Sequence, residues 1–263
     1  MTDATFAGTL PAIQRTQDHR YIYEGVTYPG VTKVLGTLDK SGALMTWAAR
    51  ETAEAMLALH DNPGIDAMVN MVGRDGVLKA ATSRANWKKD EAAQLGTAVH
   101  SLADELVTGR VLSVSTETAH EYAKHYAEWW QRSGWKLRLS EALVIAPAYA
   151  GGKVSEPHEG WGGTFDLLCY DADGRTVLAD IKTGKGVYKE AILQLTAYSM
   201  APLVSPMASP DVYPMPQVDR HVIIHVTREG VREVELSIGA REWSAWLSVL
   251  DLYRWTETVK GKL

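Results

Sequence analysis

A single cysteine, Cys169, stands among the 263 residues of this chain. That excludes an intrachain disulfide framework, a four-cysteine zinc site and a four-cysteine iron–sulfur cluster. Cys169 lies in the apolar run Leu167-Leu168-Cys169-Tyr170 and reads as a buried, reduced thiol. Phenylalanine is nearly missing, with two residues against nine tryptophans. The tryptophans are scattered, and Trp129 and Trp130 are adjacent in a helical stretch, so they read as packing groups rather than as a base-stacking platform. No apolar run approaches the ~18 residues a membrane helix needs, and the start of the chain lacks a charged-then-apolar leader. The expectation is a soluble protein in a reducing cytoplasm. An excess of positive charge is also absent: 27 Lys and Arg stand against 32 Asp and Glu, a net charge of -5. The chain does not coat nucleic acid by bulk attraction, so any such contact must come from local basic patches. Several catalytic motifs are missing too. Thr183-Gly184-Lys185-Gly186 resembles part of a P-loop, but Ala179 stands where glycine is needed and Gly186 where Ser or Thr is needed. There is no Gly-x-Ser-x-Gly elbow and no His-Glu-x-x-His helix.

What is present is a hydrophobic fraction of 46% with 22% charged residues, ample for a core and unlike a disordered chain. After a polar lead-in over 1–18, His19 to Tyr28 alternates around Glu24-Gly25 and predicts a β-hairpin. A short apolar helical turn follows over Val31 to Leu38. Ser41 caps a helix to His60, ended by Asn62-Pro63-Gly64, and further helical turns reach about Ala85. Trp87 to Thr108 carries Ala92, Leu95, Val99, Leu102 and Leu106 at steps of three and four, the period of an amphipathic helix. A second helix spans Glu117 to Ser133 and stops at Gly134. Composition then turns strand-like over Leu137 to Ile145, Trp161 to Tyr170 and Thr176 to Thr183. These runs are separated by turn clusters at Ala150-Gly151-Gly152 and Asp171-Ala172-Asp173-Gly174. A helix over Tyr188 to Met200, a Pro- and Met-rich loop over 201–217, strands at His221 to Thr227 and Val231 to Ser237, and a helix from Glu242 to Val259 complete the chain. The pattern predicts an α/β protein: an N-terminal β-hairpin and helical region over 1–86, then a core with a mixed sheet flanked by helices over 87–263.

The chemistry concentrates in that second part. Alternate residues of a strand face the same way, so Asp180 and Lys182 project together amid Leu167, Leu168, Val177 and Leu178. A short turn before this strand would bring Asp166 beside Asp180, and two adjacent carboxylates repel unless a proton or cation lies between them. A hard divalent cation such as Mg²⁺ accepts such a setting and keeps waters for chemistry. A structural Asp–Lys pair at a strand end is the competing account. His100, on the long helix after Gly96, offers a third ligand or a structural imidazole. Glu141 interrupts an apolar strand, either with an inward role or as an edge-strand acid. Gln194 and Tyr198 share a helix face, pointing at the site or simply at solvent. Arg84, Lys88 and Lys89 belong to a basic stretch from Arg74 to Lys89, and Lys182, Lys185 and Lys189 form a second group without an intervening acid. Either is a nucleic-acid contact or a solvated face.

Taken in order, Gly96-Thr97-Ala98-Val99-His100, Gly163-Thr164-Phe165-Asp166, Asp180-Ile181-Lys182 and Gln194-Leu195-Thr196-Ala197-Tyr198 resemble the PD-(D/E)XK nuclease superfamily. The likeness is to its RecB-like branch, which includes CRISPR-associated and phage exonucleases, and it covers about 92–200. Tyr28-Pro29-Gly30-Val31-Thr32-Lys33-Val34-Leu35 and Leu44-Met45-Thr46-Trp47-Ala48 resemble the opening of phage-borne members. The resemblance implies a restriction-endonuclease-like core and a Mg²⁺- or Mn²⁺-dependent deoxyribonuclease, an exonuclease of DNA recombination, replication or repair in the cytoplasm of a bacterium or phage host. It implies that His100, Asp166, Asp180 and the backbone carbonyl of Ile181 hold the metal, that Lys182 orients or activates the attacking water, and that Gln194 and Tyr198 position the strand. Many relatives carry a four-cysteine iron–sulfur cluster, which this chain cannot hold. Linear duplex or single-stranded DNA is the implied partner, with a single-strand annealing protein or recombinase as a protein partner and no membrane. A structure-selective endonuclease, a ribonuclease and a non-catalytic DNA-binding accessory protein are the alternatives.

Overall fold

The computed structural model describes residues 11–39, 41–61, 64–147, 149–150, 153–154, 160–207 and 209–260. The start of the expected lead-in, Asn62-Pro63 of the first helix stop and Gly151-Gly152 of one turn cluster lie outside the described residues. Within them the order is β1 (Gln14–Arg15), β2 (Tyr21–Tyr23), β3 (Val26–Tyr28), α1 (Val31–Leu35), α2 (Ser41–Asp61), α3 (Ile65–Thr108), α4 (Glu117–Ser133), β4 (Lys136–Ala146), β5 (Tyr149–Ala150), β6 (Lys153–Val154), β7 (Trp161–Tyr170), β8 (Thr176–Lys182), α5 (Glu190–Ser199), β9 (Leu203–Ser205), β10 (Tyr213–Pro214), β11 (Arg220–Thr227), β12 (Gly230–Leu236) and α6 (Ala240–Lys260). The fold is α/β, as the sequence pattern predicts.

Two compact units divide the chain. One is Leu38–Thr97 and the other joins Met1–Thr37 to Ala98–Leu263, whereas the sequence reading set a boundary between residues 86 and 87. The larger unit contains a seven-stranded sheet in the order β10-β9-β4-β7-β8-β11-β12. Its strands pair antiparallel except β8 with β11, which run parallel. β8 is buried from Thr176 to Ile181, as a central strand covered on both sides must be. α4 packs against β11 and β12, and α5 against β7, β8, α1 and α6. Local chemistry sets the boundaries of α4: the Thr116 hydroxyl accepts the Ala119 N–H at 3.2 Å, and Gly134 takes the left-handed conformation that ends the helix. Glu24 and Gly25 both have positive φ, the geometry that closes a two-residue hairpin.

The hairpin is not an appendage. Ile13, Tyr21, Tyr23 and Tyr28 form one core cluster with Leu143 and Ile145 of β4. The Gly162 N–H donates to the Pro29 carbonyl at 3.0 Å, and Gly30 bridges Gly162 in parallel. Part of the polar lead-in therefore forms strand β1. Two further readings are corrected. The helices expected to part near Ala85 form one element, α3, whose break falls at Gly73 (φ 76, ψ 166); no strong breaker stands at Ala85, and glycine supplies the left-handed geometry. The segment expected to be a loop holds β9, paired between β10 and β4, and β10 at the sheet's edge, where a strand tolerates Pro214. Cys169 is a buried free thiol, as expected.

Candidate metal centre

Register builds the site. β4 and β7 pair Ser140 with Leu167 and Ala142 with Phe165, so Glu141 stands opposite Asp166. β7 and β8 pair Leu167 with Ala179, and one further step along that register sets Asp166 opposite Asp180. Opposed residues share a face of the sheet. Glu141, Asp166 and Asp180 thus form a row of acids across three adjacent strands. Glu141 holds φ at 47° in the middle of β4, while among the described residues the other non-glycines with positive φ, His19 and Glu24, lie outside strands. Such a backbone costs about 1–3 kcal/mol and persists only where its surroundings impose it.

Past the Leu167–Ala179 pair the two strands fork, and the Asp166 side chain fills the gap. Its Oδ2 accepts the Ile181 N–H at 2.6 Å, and its Oδ1 lies 3.4 Å from His100 Nδ1. An extended residue directs its N–H and C=O toward the same edge, so the Ile181 carbonyl faces the same fork. His100 comes from the last turns of α3, seated by the buried Val99, Leu102 and Ala103. Ser140 donates to Asp104 Oδ1 at 2.5 Å, tying that helix to β4 beside Glu141. On the far side, Lys182 Nζ lies 2.5 Å from Asp180 Oδ2 and 3.4 Å from Gln194 Oε1, and Gln194 Nε2 donates to Tyr198 Oη at 3.0 Å.

The adjacent glycines of β7 make room for this arrangement. A Cβ at Gly163 would lie 2.2 Å from the Tyr198 ring, and one at Gly162 would lie 2.3 Å from Tyr21. Successive strand residues point to opposite sides, so each glycine admits one tyrosine. Tyr21 in turn places its hydroxyl 2.9 Å from Thr164 Oγ1.

The electrostatics follow from burial and proximity. Burial and then repulsion from Asp166 raise Glu141 to about 7. The same two causes, in the same order, raise Asp180 above the usual carboxylate range. Burial would raise Asp166 as well, but His100, Lys182 and the Ile181 N–H outweigh it, and Asp166 is lowered. Burial would lower His100, yet the Asp166 carboxylate prevails and raises it to about 9. Lys182 is likewise raised, because Asp180 and Asp166 overcome its desolvation. Ligand atoms of His100, Glu141 and Asp166 all lie within 4.8 Å of one another. Imidazole nitrogen and carboxylate oxygens at that spacing could hold a divalent cation.

The structure therefore gathers His100, Glu141, Asp166, Asp180, Ile181, Lys182, Gln194 and Tyr198 in one place. Lys185 and Lys189 are exposed on the connection from β8 to α5, which His225 anchors through Nε2 at 2.7 Å from the Gly184 carbonyl oxygen. Arg84, Lys88 and Lys89 belong to the Leu38–Thr97 unit. There Lys88 Nζ lies 2.5 Å and Arg84 Nε 3.7 Å from the buried Glu51 carboxylate, while Lys89 is exposed. Two of these three cations thus already serve an internal acid. Sequence reasoning missed Tyr21 and its partner Thr164. The paired glycines were the available signal, since two small residues side by side in a buried strand leave room for a large ring on each face.

No protein-family model and no curated protein matches the chain. Among solved structures, one described as "Crystal structure of SSO0001" resembles it over 62% of this chain and 87% of that chain, at 14% identity and a TM-score of 0.31. That likeness is too slight to bear on activity. Among the described residues no helix is long and apolar enough to cross a membrane.

Proposed function

We propose that the chain is a metal-dependent deoxyribonuclease of the PD-(D/E)XK kind, hydrolysing phosphodiester bonds from the ends of DNA. The observation that carries this reading is the row Glu141–Asp166–Asp180 across three strands, ending beside Lys182 at the fork. Asp166 sits at the middle of the row. His100 and Glu141 would hold the cation with it on one side, and Asp180 and the Ile181 carbonyl on the other. When bound, Mg²⁺ or Mn²⁺ supplies Lewis acidity to a phosphoryl oxygen and eases ionisation of water.

The side chains divide the remaining work. Lys182 keeps its proton, because Asp180 and Asp166 raise it. It therefore acts as a cation and hydrogen-bond donor toward phosphoryl charge rather than as a base. Asp180 holds that ammonium in place from one side and Gln194 from the other, and Tyr198 fixes Gln194. Glu141 is raised to about 7 by its burial and by Asp166, and a cation bound there would favour its ionised form. The exposed Lys185 and Lys189 on the adjoining connection supply charge for a polyanionic strand. The expected setting is DNA recombination, replication or repair in a phage or bacterial cytoplasm, with an annealing protein or recombinase as partner.

The test is digestion of a linear duplex and its covalently closed circular counterpart with Mg²⁺, Mn²⁺ or EDTA. Metal-dependent loss of the linear form alone supports an exonuclease. Cutting of the circle moves the assignment to an endonuclease. No cleavage of duplex, single strand or RNA removes the enzymatic reading.

A further inference from the structure

Resting on that reading, we infer that Arg15, carried by the N-terminal hairpin, is a substrate-positioning residue that binds a backbone phosphate of the strand beside the scissile bond. Arg15 pairs with Tyr21 across β1 and β2, and residues so paired share a face. Tyr21 stacks over Gly162 and hydrogen-bonds Thr164 at 2.9 Å. Thr164 is two residues short of Asp166 on the same side of β7, about 7 Å along the strand. The hairpin is held there rigidly by Ile13, Tyr23 and Tyr28 packed against Leu143 and Ile145, and by the Gly162-to-Pro29 bond.

Arg15 is exposed, and among the described residues no carboxylate lies within ion-pair distance of it. Its guanidinium donates to the His19 ring instead, 2.8 Å from Nδ1 and 3.3 Å from Nε2. Arg20, on the same hairpin, is neutralised by Asp18 at 2.9 Å, which singles Arg15 out. The charge of Arg15 is felt at Glu141 and Tyr21, where it works against the burial that raises both. An exposed guanidinium fork held by an imidazole rather than by a carboxylate is suited to a phosphate diester, which it can grip through two parallel hydrogen bonds. The acids take the metal and the arginine takes the anion that the metal's substrate brings.

The experiment compares the full-length protein with Arg15→Ala, Arg15→Lys and Arg20→Ala. Cleavage of a linear DNA is followed under Mg²⁺, and anisotropy of a fluorescein-labelled single strand is followed in EDTA across a salt series. Arg15→Ala should raise KM and Kd about tenfold, leave kcat within about twofold, and reduce the salt slope by about one ion. Arg15→Lys should recover part of the loss, having the charge without the fork, and Arg20→Ala should match wild type. Unchanged Kd, KM and salt slope in Arg15→Ala, with wild-type protein active, would overturn the assignment and leave the nuclease reading standing. Equal losses in Arg15→Ala and Arg20→Ala, with a lowered Tm, would also overturn it, because they mark damage to the hairpin. A wild type that neither binds nor cleaves nucleic acid would remove the nuclease reading and this assignment together.

Discussion

Replacing Gly163 with alanine perturbs the link between fold and site at one atom. The added Cβ would stand 2.2 Å from Tyr198 Cε1, 2.7 Å from Cδ1 and 3.3 Å from Val144 Cγ2, whereas carbon atoms rest at about 3.5–4.0 Å. Tyr198 is 2% exposed, so its ring cannot swing into solvent. Overpacking of this kind costs about 1–3 kcal/mol, or roughly 2–4 °C of Tm per kcal/mol in a chain of this size. Displacing the ring also loosens the 3.0 Å bond from Gln194 and, through Gln194, the seat of Lys182, so DNA cleavage should fall with stability. A double-mutant cycle isolates the cause. In a Tyr198→Ala background the clashing ring atoms are gone, and Gly163→Ala should become neutral or stabilising by about 0.4–1 kcal/mol through reduced freedom of the unfolded chain. Urea titrations of the four proteins read both numbers. An equal cost of Gly163→Ala in both backgrounds would refute the contact as the reason for glycine here.

Three further outcomes are expected. Glu141→Gly relieves the left-handed backbone at φ 47 and the repulsion from Asp166, so Tm should rise by a few degrees while calorimetric Mn²⁺ affinity falls by tenfold or more; a drop in Tm would contradict the strain. In metal-free protein, His100 is raised from 6.5 to about 9, so its contribution is complete below pH 6.5 and is lost by pH 9, while Glu141, raised from 4.5 to about 7, favours folding only while protonated. Tm should therefore decline between about pH 5 and pH 9 and recover when Mn²⁺ is added, and a flat profile in metal-free protein would contradict the coupling. Charge reversal of Lys185 and Lys189 together should weaken DNA binding and flatten its salt dependence. Unchanged slopes would mark them as a solvated face.

Some of this was readable from residues alone because the signals are local. Gly134 ends α4, Glu24-Gly25 closes the hairpin, and Asp180-x-Lys182 places two charges on one strand face. What was not readable depends on register and packing. Glu141 is an odd acid in an apolar strand until β4 pairs with β7 and sets it opposite Asp166. β10 was hidden by Pro214, which its edge position accepts, and β9 by the prolines that flank it, Pro202 and Pro206. The apparent basic patch from Arg74 to Lys89 is charge in sequence, but Glu51, over thirty residues upstream, takes up Lys88 and Arg84 once α2 and α3 have folded. Arg15 carried no signal at all, since only the docking of the hairpin on β4 and β7 brings it to the row of acids.

The most direct test of the central claim is the release of nucleotides from linear DNA under Mg²⁺ by wild type, Asp180→Asn and Lys182→Ala, each first shown to be folded by circular dichroism. The account predicts metal-dependent release by wild type and a loss of at least a hundredfold in both variants. Release by either variant at a rate near wild type would contradict it, because the fork between β7 and β8 would then not be where the phosphodiester is cut.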